Sequence, residues 1–224
     1  LACLGFLTEV LYQTALGIKL TAVVEILSGG YLLPALFLTM VVSIILGCGS
    51  PTTGAYTLVA IIIVPALIRM GVEPLSAHFF ALYFAVMSNI TLPVAVAALT
   101  ASNLSGGNYW KTGYRATILA IGGFIMPFCV IYNPELLLRH DVMSNIGVMV
   151  LLLVAIMAII TAINIVFFRF LYAPISLIEI ALYSLSAVIL IAFVFVGDHR
   201  LFLSGIVLFI SIVAFHIIRI KHID

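Results

Sequence analysis

Gly47-Cys48-Gly49-Ser50-Pro51-Thr52-Thr53-Gly54 separates two runs, Ala35 to Leu46 and Ala55 to Leu67, that are apolar apart from Thr39, Ser43 and Thr57. Three glycines and a proline within this stretch break a helical ladder: glycine costs backbone entropy, and proline lacks the donor and clashes with the turn before it. In lipid each freed backbone group would cost several kcal/mol. Irregular backbone therefore persists at membrane depth only when buried in protein or lining a wet cavity. The competing reading is a connecting loop between two membrane helices. That loop would need arms of roughly 20 residues, whereas each arm reads as about 12 and carries no charge. The stretch is expected to be a re-entrant hairpin, down and back, with Gly49, Ser50, Thr52 and Thr53 at its tip.

The composition supports that setting. Of 224 residues, 65% are hydrophobic and 8% charged, against about 45–50% apolar and about 25% charged in a soluble domain. The segments lack the alternating polarity of a barrel, so the expected class is an all-α, polytopic membrane protein. A net charge of +1 gives no sign of a nucleic-acid or strongly acidic partner. Cys3, Cys48 and Cys129 have no paired spacing and read as packing residues, not as a disulfide framework or metal site.

The chain starts at Leu1 within an apolar run, with no basic leader region or small-residue cleavage site. It is expected to be a piece of a longer membrane protein, or one half of an internally repeated one. Residues 1–32 read as the end of a membrane helix followed by an interfacial arm helix with one wet face. Residues 33–69 read as the re-entrant hairpin, 74–101 as a broken transmembrane helix, 112–134 as a transmembrane helix and 143–219 as three C-terminal transmembrane helices. Ser102 to Lys111 reads as a surface loop, with Tyr109 and Trp110 as an interfacial anchor.

The break in the helix after the hairpin is Ser88-Asn89-Ile90-Thr91-Leu92-Pro93. Pro93 disfavours helix at Leu92 and removes a donor, while Ser88, Asn89 and Thr91 supply oxygens. Two interruptions thus bring helix ends and polar oxygens to membrane depth, which is how secondary transporters build a site. Helix N-termini face anionic groups, and freed carbonyls with helix C-termini hold a cation. Thr52 and Thr53 start a helix and suit an anion; the carbonyls near Gly47 and Gly49 end one and suit sodium. Neither break holds a carboxylate, so neutral oxygens favour sodium over a proton relay.

These residues carry a family resemblance. Gly47 to Tyr56, then Ser88-Asn89-Ile90-Thr91-Leu92-Pro93-Val94-Ala95, then Tyr132-Asn133-Pro134-Glu135-Leu136, resemble the C-terminal part of the large membrane subunit of TRAP (tripartite ATP-independent periplasmic) transporters. The likeness is greatest to fused permeases that work with TAXI-type binding proteins. It differs from the usual pattern at Cys48 (commonly Met), Gly54 (often Ala) and Leu92 (commonly a second Pro). The resemblance implies half of an inverted-repeat, elevator-type transporter in the bacterial inner membrane. Its function would be sodium-coupled import of organic acids taken from a periplasmic substrate-binding protein. Carried over residue by residue, Ser50, Thr52, Thr53, Asn89 and Thr91 would meet the substrate. Gly47, Gly49, Thr53, Ser88 and Asn89 would hold the sodium ion. The implied partners are that binding protein, a small organic anion, membrane lipid and the remainder of the permease, including its first repeat.

Two other functions compete: a binding-protein-independent exchanger of divalent organic anions, and a non-transporting membrane scaffold subunit. An intramembrane protease with Ser50 as nucleophile and His78 as base is disfavoured, because Pro51 follows the serine directly and His78 is placed far from the tip. Glu179 is placed at a wet interface near the start of its helix, and His216 at a solvated helix end. Asn164 is read as a packing residue between helices.

Overall fold

In the computed structural model, which describes residues 9–10, 13–14, 16–49, 51–137, 142–168, 170–171 and 173–221, the chain is almost wholly helical. It divides into two units, Leu1–Ala120 and Ile121–Asp224. The helix end expected at Leu1 to Leu7 and the tip residue Ser50 lie outside the described residues.

In the first unit, α1 (Leu16–Leu27) precedes α2 (Leu32–Gly47), which forms the first arm of the hairpin. The second arm is α3 (Thr52–Ile62) continued by α4 (Val64–Arg69). Both arms are longer than the sequence suggests. The first has 16 residues and rises about 24 Å; the stretch Thr52–Arg69 has 18 and rises about 27 Å. The first arm gains residues 32–34 and Gly47, and the second gains residues 52–54 at its start and 68–69 at its end. Pro34 sits in the first turn of α2 and Pro65 in the first turn of α4, where the missing N–H has no intrahelical acceptor anyway. Neither proline ends an arm. The second arm reaches spanning length, so the length argument for a hairpin that turns back within the bilayer does not hold.

Helix α5 (Pro74–Met87) lies against both arms. Ala77, Ala81 and Ala85, four residues apart and each fully buried, let backbones approach closely. Close packing of this kind, not removal of apolar surface from water, holds helices together in lipid. Phe80 and Phe84 fill the remaining space edge to face, their ring centroids 4.9 Å apart. After a break, α6 (Val96–Ser105) ends at Gly106, whose φ of +66° suits a glycine terminator. The loop expected from Ser102 to Lys111 shrinks to three residues, 106–108, before α7 (Tyr109–Ile121). Asn108 starts α7 by accepting the Lys111 N–H at 3.1 Å through its side-chain oxygen.

In the second unit, the 3-10 turn Gly122–Phe124 leads into α8 (Ile125–Tyr132), and a second, Pro134–Leu137, follows it. Three long helices come next: α9 (Val142–Phe168), α10 (Leu177–Val196) and α11 (His199–Lys221). Between α9 and α10, Phe170–Leu171 pairs antiparallel with Ala173–Pro174. Gly205 seats Leu190: a Cβ there would stand 2.8 Å from Leu190 Cδ2. Its carbonyl accepts the Ser186 hydroxyl at 3.0 Å.

Two sequence readings fail in this unit. Glu179 is not wet, being 1% exposed, and His216 is buried to the same degree. Glu179 caps its own helix reciprocally with Ser176. Its Oε1 lies 3.2 Å from His216 Nδ1 and its Oε2 accepts from Arg219 Nη1 at 3.0 Å. A carboxylate placed one turn into a helix avoids water here because α11 brings an imidazole and a guanidinium to it. Asn164 is half-buried, and its Oδ1 has no hydrogen-bond partner among the described residues.

Five stretches among the described residues are long and apolar enough to cross a membrane: Thr52–Arg69, Tyr109–Tyr132, Gly147–Phe167, Leu177–Val196 and His199–Arg219. Their outward faces are apolar too; Val188 and Phe215 are each 61% exposed. Apolar residues facing outward on helices of this length are the mark of a membrane protein.

Candidate functional site

The two interruptions meet. Helix α2 ends at Gly47 and α5 at Met87, and the ends lie side by side: a Cβ added at Gly47 would come 2.8 Å from Ser88 Cβ and 3.3 Å from the Ala85 carbonyl oxygen. Only glycine fits there. A little further on, Gly49 turns left-handed at φ +76°, and a Cβ there would stand 3.9 Å from Val94 Cγ1. The tip therefore meets the start of the break at Ser88, while at Gly49 there is room for a Cβ beside Val94.

This contact brings two helix C-termini together. Each helix end carries roughly half a negative charge in partial form. The last carbonyls of α5, residues 84–87, already accept from Ser88, Asn89, Ile90 and Thr91, so a cation there would meet the lone pairs that remain to them. The hydroxyls close by fit the same purpose. Ser88, 1% exposed, donates its proton to the Ala85 carbonyl at 2.7 Å, and Thr91, 2% exposed, donates to Met87 at 3.0 Å. With their protons committed, both oxygens present only lone pairs. Ser88 and Gly47 are thus brought together as the sequence proposes for sodium. The Asn89 side-chain amide instead turns back onto the Val86 carbonyl at 3.3 Å, and its backbone carbonyl accepts from Ala97 N–H at 2.9 Å.

At the tip, Pro51 precedes α3 without a side-chain cap, and Thr52 and Thr53 are exposed. The first-turn amides of α3 therefore face outward beside two hydroxyls, an arrangement suited to an anion. The Thr57 hydroxyl donates to the Thr53 carbonyl at 2.8 Å, which ties up that carbonyl. His78 is exposed, but it is not remote from the tip arm: its Nδ1 lies 2.9 Å from the hydroxyl of Tyr56, one turn beyond Thr53.

The break itself is held from one side. Leu92 N–H donates to Thr117 Oγ1 at 3.0 Å, and the Tyr109 hydroxyl reaches the carbonyls of Pro93 (3.0 Å) and Val94 (2.6 Å). Both side chains come from α7. The Leu92–Pro93 peptide is cis, and Ala95 takes a left-handed conformation, φ +39°, with no exposure. For a residue with a Cβ that conformation costs roughly 1–2 kcal/mol. The surrounding bonds offset it: Ala95 N–H finds the Thr91 carbonyl at 3.1 Å, and Gly113 of α7 leaves room for Leu92 and the Ala95 methyl. The sequence reading of Tyr109 as an interfacial anchor missed this role.

A family model described as "Tripartite ATP-independent periplasmic transporter, DctM component" matches residues 1–144. The matched stretch contains both the tip and the break, and it excludes nearly all of α9 and the whole of α10 and α11. Comparison with curated proteins and with solved structures gave no match.

Proposed function

The chain belongs to the DctM component family of tripartite ATP-independent periplasmic transporters, and on that premise we propose that it couples sodium to organic-acid import. In this reading a periplasmic substrate-binding protein of the TAXI type delivers the acid to a permease in the bacterial inner membrane. The remainder of the permease, with its own hairpin, supplies the other half of the site. Gly47, Gly49, Ser88 and Asn89 would hold sodium, with Thr53 shared between ion and substrate. Ser50, Thr52 and Asn89 would face the carboxylate; Thr91, also expected from the sequence to meet the substrate, has its proton on the Met87 carbonyl and would serve the cation instead.

One observation supports this most: the fit of Gly47 against Ser88, which sets the ends of α2 and α5 together at a point rich in carbonyls and hydroxyls. A cation between tip and break would draw them into one geometry. The uncapped start of α3 would then be fixed in place for an anion, so ion and acid bind together. Hairpin and break would next move as one body, an elevator carrying both across the membrane.

The test is uptake of labelled organic acids into proteoliposomes holding the full-length permease and its binding protein. Uptake driven by an inward sodium gradient, and lost without the binding protein, supports the reading. Uptake driven equally well by a proton gradient alone overturns it.

A further inference from the structure

We propose that Thr117 is a positioning residue for the cation site, with Tyr109 as its companion, so that α7 sets the shape of the break without contributing a ligand. The proposal rests on the function proposed above. It begins with where the backbone donors of the break go. The N–H groups of Ser88, Asn89, Ile90 and Ala95 all find carbonyls within residues 84–91. Leu92 is different: its N–H leaves the segment and ends on the Thr117 hydroxyl, 25 residues away.

Thr117 is suited to that donor. Its hydroxyl proton goes to the Gly113 carbonyl at 2.9 Å, one turn back on the same helix. The oxygen is then left as an acceptor in a fixed rotamer. The peptide joining Thr91 to Leu92 is planar, so its N–H and C=O point in opposite directions. Anchoring Leu92 N–H on α7 therefore aims the Thr91 carbonyl away from α7 and back into the break, where it meets Ala95 N–H at 3.1 Å. Beyond the Leu92 carbonyl, the Tyr109 hydroxyl reaches the carbonyls of Pro93 and Val94, at 3.0 and 2.6 Å, and shares its one proton between them. Gly113 completes the seat, because a Cβ there would press on Leu92 Cδ2 at 3.0 Å. One face of α7, carrying residues 109, 113 and 117, thus holds the Leu92 N–H and side chain and the carbonyls of Pro93 and Val94.

The experiment compares Thr117→Val, which keeps the shape and removes the acceptor, with Thr117→Ser, which keeps the acceptor, in the full-length permease. The sodium concentration for half-maximal uptake should rise about tenfold in Thr117→Val and stay near wild type in Thr117→Ser. The substrate KM at saturating sodium should be unchanged in both. Amide hydrogen exchange over residues 88–97 should quicken in Thr117→Val only. A sodium response in Thr117→Val equal to wild type, or equal impairment in both variants, overturns the proposal. If wild-type uptake shows no sodium dependence, the function proposed above fails instead. The exchange measurement still decides the positioning claim in that case, since unchanged exchange in Thr117→Val overturns it for any ion.

Discussion

Gly47 and Ser88 are in contact so close that the glycine has no room for a Cβ, which would lie 2.8 Å from Ser88 Cβ. Two residues from two separate interruptions thereby become one surface. Alanine at Gly47 must push α2 away from α5 or displace Ser88, and overpacking of this kind costs about 1–3 kcal/mol. Gly47→Ala should lower the thermal midpoint of the detergent-solubilised protein by several degrees. Adding Ser88→Gly should recover most of that loss and still leave sodium-dependent uptake impaired, because the hydroxyl is gone. Equal stability of Gly47→Ala and wild type would mean that the two helix ends are not held together.

Glu179 joins α10 to α11 through His216 and Arg219, both of its oxygens being engaged. Removing one member of a buried ionic cluster costs about 3–5 kcal/mol. The partial exposure of the Arg219 side chain, 37%, lets water take over part of its charge and places this case at the low end. Glu179→Ala should destabilise by about 3 kcal/mol in thermal or denaturant unfolding, and Glu179→Gln by less. Neither should alter the sodium concentration for half-maximal uptake. A changed sodium response would give the cluster a part in coupling that its place outside the tip and break does not suggest.

Tyr183 is fully buried against Phe209, ring centroids 5.8 Å apart, and its hydroxyl has no partner among the described residues. An unpaired buried hydroxyl is a cost that phenylalanine removes while keeping the ring contact. Tyr183→Phe should therefore be neutral or stabilise by up to about 1 kcal/mol. Clear destabilisation in an unfolding measurement would show that the hydroxyl is bonded in the folded protein.

How far the sequence revealed these features depended on whether the signal was local. The tip and the break were legible because Gly47, Gly49, Pro51 and Pro93 interrupt apolar helices by their own backbone chemistry. The arm lengths were misjudged where polar or glycine residues were assigned to the tip: Thr52, Thr53 and Gly54 already belong to the second arm, and Pro34, which looks like the boundary of the first, sits inside its first turn, where proline is tolerated. For Glu179 half of the signal was present. Ser176-Leu177-Ile178-Glu179 has the spacing of a capping box, which would have fixed its place in the helix. Its burial could not be read, since His216 and Arg219 follow it by 37 and 40 residues. Thr117 gave no sign at all, because a threonine within an apolar helix carries no mark of the distant amide it accepts.

The central claim is that tip and break form one site, and a double-mutant cycle on sodium affinity tests it most directly. The sodium concentration for half-maximal uptake would be measured for Thr53→Val, Asn89→Leu and the pair, in full-length permease with its binding protein. One shared site predicts that each single change weakens sodium by about tenfold or more and that the double variant is little worse than either single one, since residues of one network do not add. Effects that multiply independently, or single changes that leave sodium affinity at the wild-type value, would contradict the account.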